Sequence, residues 1–519
     1  MEEQVTEIEE QVTEKIYDFE KVFDVVLAFN SETRYEKLLD VILTKMMEIT
    51  HSDGGTLYTV EGKELHFRII KNISLGIFQS EDEINLPPIV LDAENIENVS
   101  AYAVLKNEIV MIDDVYSSDK FNFSGPKNFD KNMGYNTTSM LALPLSVSRN
   151  KDQEVLGVIQ LINATNAETG KVVPYGEIFA PPVITALANL AANTLANLIH
   201  MRDIKMLFHS FVAVMTQAID ERSRYSSTHT QSVAKYCRDF ALYLKAKYPP
   251  NHPYYFDEGR IEQLTVAALL HDIGKIVTPV HIMDKATRLG EKMLSLRNRF
   301  EIKRHQIEID LLKGIIDETT FRNENCNLDD ALELVEAVNP AGFLPEDVFF
   351  RVEKLADITY RDSGGRVVPL LDDNEMEALT IRKGTLTRGE RLEMEEHVVI
   401  TGRLLDKMAF WKYYKHYEDV PEFARNHHEF LDGSGYPRKL MAEDIHLETR
   451  IMTITDIFEA LTASDRPYKR GVPVNKALSI LWEMAEKGKL HKEMVMLFTE
   501  SRVWETDEED IKSSEKGMC

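Results

Sequence analysis

His427-His428-Glu429-Phe430-Leu431-Asp432-Gly433-Ser434-Gly435-Tyr436-Pro437 is the stretch on which the reading of this chain turns. Two adjacent histidines lead into an acidic, glycine-rich turn that ends in Gly-Tyr-Pro. Imidazole is the commonest transition-metal ligand near neutral pH. Neighbouring histidines point in different directions, so a pair can serve two metals or two faces of one cluster. The glycines permit close backbone approach to something bound. Alone, a His-His loop is more often a surface accident than a metal site, so the rest of the chain has to supply partners.

His271-Asp272-Ile273-Gly274-Lys275 is the strongest partner and follows the apolar run Leu264-Thr265-Val266-Ala267-Ala268-Leu269-Leu270. A histidine and a carboxylate at the end of a buried helix are costly unless compensated, and a metal ion compensates both. On a continuing helical turn Lys275 would share the His271 face and reach a phosphate oxygen. The plainer reading is a helix end, with Gly274 as stop and Lys275 opposing the dipole. Three more residues extend the set. His229 precedes the amphipathic run Val233-Ala234-Lys235-Tyr236-Cys237, and His397 lies in the helical pattern Met394-Glu395-Glu396-His397-Val398-Val399. Asp456 is a carboxylate on the inner side of Arg450–Leu461. Singly, each reads as a surface histidine or a buried acid bonded to backbone.

Together these motifs, with the downstream Asp465-Arg466-Pro467-Tyr468, resemble the HD-GYP family of HD-domain metal-dependent phosphohydrolases over about Phe208 to Ser479. The resemblance implies an all-helical fold that hydrolyses cyclic dinucleotides, chiefly cyclic di-GMP, to the linear dinucleotide pGpG or to GMP. It implies His229, His271, Asp272, His397, His427, His428 and Asp456 as metal ligands, with Asp272 bridging. It further implies Lys275 on substrate phosphate, Gly435, Tyr436 and Pro437 as the substrate-side loop, and Arg466 and Lys469 as basic contacts to the nucleotide. Asp272 and Lys275 are the residues expected to carry catalysis, through a metal-activated water and an offset of charge on the phosphate oxygens. Some family members place a Glu four residues before the first ligand histidine and hold a third metal. Here that position is Tyr225, and Glu221 lies a further turn back, which favours a binuclear centre. Nitrogen and oxygen ligands without cysteine suit iron or manganese.

Composition sets limits. A length of 519 residues fits two to four domains at about 150 residues each. The net charge of -26 argues against a nucleic-acid polymer or an anionic membrane as partner. An anionic cyclic dinucleotide then needs a locally positive site. Cys237, Cys326 and Cys519 are far apart and form no CxxC, which suits a reducing cytoplasm. No signal-peptide pattern and no run of 18 or more uninterrupted apolar residues is expected to mark a membrane span.

Residues 1–33 read as an N-terminal helix. Glu-Glu-Gln-Val-Thr-Glu recurs at a heptad step, with Val5, Ile8, Val12, Phe19 and Val26 along one seam. Pairing with a second copy and packing on its own domain both fit this pattern. Residues 34–182 turn mixed α/β and look like a GAF sensor domain, on Ser52-Asp53-Gly54-Gly55-Thr56-Leu57-Tyr58 and Gly157-Val158-Ile159-Gln160-Leu161-Ile162-Asn163. Cyclic-nucleotide-binding GAF domains carry an Asn-Lys…Phe…Asp-Glu signature. Here Asn163 is followed by Ala164, and Phe179 by Ala180-Pro181-Pro182, so another ligand, or a dimerisation role alone, is expected.

A connecting helix over 183–215 has no Gly or Pro interruption and would transmit GAF state to the catalytic part, with paired copies forming a parallel dimer. That part is read as 216–289 and 383–502, interrupted by a helical insertion at 290–382. The insertion reads as a cap, a contact to the GAF domain, a partner site or a plain surface elaboration. Residues 503–519 form an acidic tail. His305 and His416 are read as non-catalytic. The fold class is thus multidomain, an α/β GAF domain joined by a long helix to an all-α HD-GYP domain. Two alternatives stand beside cyclic di-GMP hydrolysis: a hydrolase of cyclic GMP-AMP, and a cyclic-dinucleotide receptor without turnover.

Overall fold

The computed structural model describes residues 24–25, 27–29, 34–149, 152–178, 181–222, 228–463 and 471–505. The whole N-terminal heptad seam, Val5, Ile8, Val12, Phe19 and Val26, together with Tyr225, Arg466, Lys469 and Cys519, lies outside them. The chain divides into two compact units, Met1–Phe208 and His209–Cys519, and the division falls within one long helix.

The first unit is a sheet in the order β3-β2-β1-β7-β6-β5, with β4 beside β2, all antiparallel. The strands are β1 Ser52–Glu61, β2 Glu64–Asn72, β3 Ile77–Ser80, β4 Ile89–Val90, β5 Val110–Ile112, β6 Met140–Arg149 and β7 Asp152–Ala164. Side chains alternate across the sheet. On one face Leu57, Leu141, Leu143, Ile159 and Leu161 pack under helix α1 (Tyr35–Ile49) and the start of helix α2 (Pro181–Asp220). On the other, Tyr58, Ala142 and Val158 pack with Val99, Ala103, Phe121 and Phe123. Val25 and Phe29 join the first of these cores, while Leu27 stays exposed.

Asn163 is an anchor of this domain. Its amide accepts from the Thr138 N–H at 2.7 Å and donates to the Asn136 carbonyl at 2.8 Å and to the Tyr135 hydroxyl at 3.0 Å. A cavity of about 770 Å³ opens beside the sheet, lined by Tyr58, Phe67, Ile70, Phe123, Phe129 and Gln160 among others.

Helix α2 has the length and apolar composition of a membrane span, with mean hydropathy 1.3, although it holds no uninterrupted apolar run of 18 residues. Core helices share that composition, and Ile184, Leu187, Ala188, Ala191, Ala192 and Leu195 are buried in the core of the first unit.

The second unit is mainly helical. Helix α3 (His229–Lys247) buries Val233, Ala234, Cys237, Phe240, Ala241 and Leu244, a single stripe at helical spacing. It packs on α4 (Glu258–Leu270) and on α9 (Leu447–Thr462), while α7 (Arg388–Asp406) packs on α8 (Val420–Arg425) and on the turn after α4. Between α4 and α7 the chain builds a separate apolar core. There Leu296, Phe300 and Ile307 of α5 (Lys292–Leu312) meet Leu328, Ala331, Leu334 and Val335 of α6 (Glu318–Val338), with Leu370, Leu371 and Leu379. Its two ends are tied by Arg288, fully buried, whose guanidinium donates to the carbonyls of Ala341, Leu379 and Ile381. The unit is not purely helical: β8 (Thr359–Arg361) and β9 (Val367–Pro369) pair as a hairpin across the Asp362-Ser363-Gly364-Gly365 turn. Short polar sequences rich in glycine carry no helical or alternating pattern long enough to foretell such a ribbon.

Candidate metal centre

Each helix that delivers a side chain to the centre of the second unit does so at an end or on its inner face. His229 is the first residue of α3. His271 follows the last residue of α4 and keeps helical dihedrals, after which Asp272 leaves the helix. His397 and Asp456 lie on the buried faces of α7 and α9. His427 and His428 follow α8.

All seven converge. Their ligand atoms form three overlapping groups, each within 4.8 Å: His229, His271 and Asp456; His271, Asp272 and His427; His397, His427 and His428. Asp272 divides its oxygens between the two sides. Its Oδ2 faces His229 Nε2 at 3.6 Å and His271 Nε2 at 3.2 Å. Its Oδ1 faces His397 Nε2 at 3.3 Å and His427 Nε2 at 3.9 Å. Asp456 does likewise, with Oδ1 3.3 Å from His229 Nε2 and Oδ2 3.7 Å from His428 Nδ1.

The residues fit a cation. His271 Nε2, His397 Nε2, His427 Nε2 and Asp272 Oδ1 are buried and have no hydrogen-bond partner. Orphaned buried polar atoms are costly, and these four, spread over the overlapping groups, form a donor set that metal would satisfy. The histidines are also oriented from behind. Nδ1 of His271, His397 and His427 lies 2.6, 2.5 and 2.6 Å from the carbonyls of Ala268, Met394 and Ala424. That contact places the proton on Nδ1 and the lone pair on Nε2.

Electrostatics follow from burial. Burial pushes the Asp272 carboxyl up, but the His271 and Lys275 charges outweigh it and hold the group well below the usual carboxylate range. Asp456 is likewise held low against its burial by His229. Burial drives His427 well down and His428 to about 4. His229 is the opposite case. Burial lowers it, yet contacts with Asp272, Asp456 and Glu459 raise it well above the ordinary imidazole value.

Lys275 departs from the expected geometry. Helix α4 does not continue; Ile273–Val277 is a 3-10 turn, and the Lys275 ammonium lies 2.5 Å from Asp272 Oδ2. Gly274 is more than a helix stop, because its backbone lies against α7. Gly435 packs on its own loop, where a Cβ would fall 2.3 Å from the Phe430 nitrogen. Tyr436 tilts over the His428 ring with centroids 4.8 Å apart, and burial pushes its phenol up. Pro437 follows it through a cis peptide. His305 and His416 lie outside the three groups, and Glu221 joins none of them.

Several supporting residues escaped the sequence reading. Thr401 donates its hydroxyl to the His271 carbonyl and accepts from the Gly274 N–H, both at 3.0 Å. Thr453 donates to the His427 carbonyl at 2.9 Å. The Glu429 carboxylate receives the N–H groups of Arg438, Lys439 and Leu440 at 2.6, 3.1 and 3.0 Å, closing the Gly-Tyr-Pro loop. Glu459 binds His229 Nδ1. The available signal was helical spacing: Thr401 lies four residues after His397, Thr453 three before Asp456 and Glu459 three after it.

Comparison with known proteins agrees with this architecture. Family models described as GAF domain and HD domain match residues 34–195 and 227–342, and a second HD-domain model matches 374–493. His229, His271 and Asp272 fall in the first HD match, the other four residues in the second. The chain is similar to the 3'3'-cGAMP-specific phosphodiesterase 3 of Vibrio cholerae, 39% identical over 20% of this chain and 22% of that one. It is similar to the 3'3'-cGAMP-specific phosphodiesterase 1 of the same organism, 36% identical over 23% of this chain and 26% of that one. A third relative is the cyclic di-GMP phosphodiesterase response regulator RpfG of Xanthomonas campestris, 35% identical over 22% of this chain and 28% of that one. The chain thus matches about a quarter of the length of these relatives. The chain thus carries a GAF domain followed by HD-domain matches on either side of residues 343–373.

Proposed function

We propose that this protein is an HD-GYP phosphodiesterase that uses two metal ions, iron or manganese, to hydrolyse cyclic di-GMP to pGpG or GMP. The observation that carries the reading is the set of three buried histidine nitrogens without hydrogen-bond partners, arranged about the two oxygens of Asp272. One metal position would be held by His229, His271 and Asp456 and the other by His397, His427 and His428, with Asp272 available to both. The metals supply Lewis acidity and a water ionised near neutral pH.

The chain's own residues do the rest. Lys275, whose ammonium lies beside Asp272 Oδ2, would offset charge on a non-bridging phosphate oxygen. Tyr436 offers its outer ring face beside the centre, where a nucleobase can stack. Arg466 and Lys469 add positive charge for the anionic substrate. GAF state, set by a ligand of the first unit, regulates turnover through α2, and paired copies of this helix join two chains into a homodimer. We place the protein in the reducing cytoplasm, since Cys237 and Cys326 are free thiols.

Cyclic GMP-AMP is the second reading, favoured because two of the three relatives above carry that specificity in their names. One assay separates the readings. The purified chain, loaded with iron or manganese under reducing conditions, is given cyclic di-GMP and cyclic GMP-AMP, and the products are resolved. Linear products from the first substrate are expected. Faster turnover of the second would move the assignment to it, and no turnover of either with metal bound would leave a receptor. Asp272→Ala is expected to lose both metal and turnover.

A further inference from the structure

The four histidines whose backing is seen are not backed alike. Those of His271, His397 and His427 are neutral backbone carbonyls, each three residues earlier in the chain. His229 opens α3 and has no turn of its own helix before it. Its Nδ1 instead meets the carboxylate of Glu459, which is buried at 5% exposure. Glu459 lies one turn beyond Asp456 on α9, so both carboxylates project from the same face. The His229 ring is held between them, Asp456 at Nε2 and Glu459 at Nδ1.

We propose that Glu459 is a positioning residue that fixes His229 as an Nε2 donor and makes the His229, His271 and Asp456 group the tighter of the two metal positions. The inference rests on the binuclear reading above. A hydrogen bond to an ionised acceptor is roughly twice as strong as one to a neutral carbonyl. It draws the Nδ1 proton away and leaves more electron density on Nε2, the atom facing the ligand group. Outer partners of this kind are worth about 10–100-fold in metal affinity. The group of His397, His427 and His428 has no such carboxylate behind its two carbonyl-backed rings.

The test is a metal titration of the full chain. Metal-free protein is titrated with Mn²⁺ and bound metal is counted after equilibrium dialysis, for wild type and for Glu459→Gln. Wild type is expected to fill two unequal sites. Glu459→Gln keeps the shape without the charge, and is expected to weaken the tighter site by about 10–100-fold while sparing the other. In parallel, kcat should fall with KM little changed. Two equal sites in wild type, or a variant whose affinities both match wild type, overturn the proposal. So does equal weakening of both sites. Should Glu459→Gln fail to fold, Glu459→Asp is titrated in its place, and weakening confined to the tighter site supports the proposal while equal weakening overturns it. A wild-type chain that binds no metal overturns the binuclear reading itself.

Discussion

Gly274 lies so close under α7 that a Cβ there would stand 1.9 Å from the carbonyl oxygen of His397. The segment bearing His271 and Asp272 and the helix bearing His397 therefore meet backbone to backbone, with Thr401 bonded to both sides of the turn. Gly274→Ala must part them. Overpacking in a close-fitting core costs about 1–3 kcal/mol even where side chains can yield, and here the obstacle is backbone. Denaturant unfolding should show a loss of at least about 3 kcal/mol, with reduced metal content in what remains folded. Wild-type stability in this variant would mean that the turn is free to move.

Glu429 holds three loop N–H groups with one buried carboxylate. Glu429→Ala leaves these partly exposed donors to water, at a cost on the order of 1–3 kcal/mol in all. Tyr436 then loses its place over His428, so KM should rise more than kcat falls. Steady-state kinetics on the folded variant checks this; an unchanged KM would show that the loop stands without Glu429.

Tyr436 is proposed to act through its ring. A stacked base contributes about 1–3 kcal/mol, so Tyr436→Ala should raise KM about 10-fold or more. Tyr436→Phe should stay within about 3-fold of wild type on the same principle. A large defect in the Phe variant would assign the work to the hydroxyl instead.

The buried histidines make the metal-free protein sensitive to acid. His428 titrates at about 4 in the fold, against about 6.5 in an unfolded chain. Between these values the unfolded state binds the extra proton, so stability falls as pH drops. At about 1.4 kcal/mol per unit, His428 alone contributes on the order of 3 kcal/mol, and His427 adds to it in the same direction. His229, raised instead, gives stability that is complete below about 6.5 and lost as pH climbs through its folded value. Thermal unfolding of metal-free protein should therefore peak near pH 6.5. A flat profile from 4 to 7 would contradict the burial of these rings. Metal should abolish the dependence above the peak, because it displaces the His229 proton.

The sequence by itself determined which residue types could form a centre and on what elements they ride. Paired histidines before a glycine turn, a His-Asp pair after an apolar helix and a lone carboxylate in another are conspicuous because burial of such groups is costly without a partner. The alternating strands and the helices of the first unit were legible for the same reason: period-2 and period-3.6 burial leave a one-dimensional trace. Tertiary structure alone decided how the ligand atoms are shared. That Asp272 turns one oxygen to His271 and the other to His397 depends on helices far apart in sequence meeting at Gly274. Thr401, Thr453 and Glu459 carried only the signal of helical spacing from His397 and Asp456, since an inward threonine or glutamate on a helix looks the same whether it faces a carbonyl, an imidazole or water. Their roles arise from contacts across 130, 26 and 230 residues of sequence, and only the packed fold specifies such contacts.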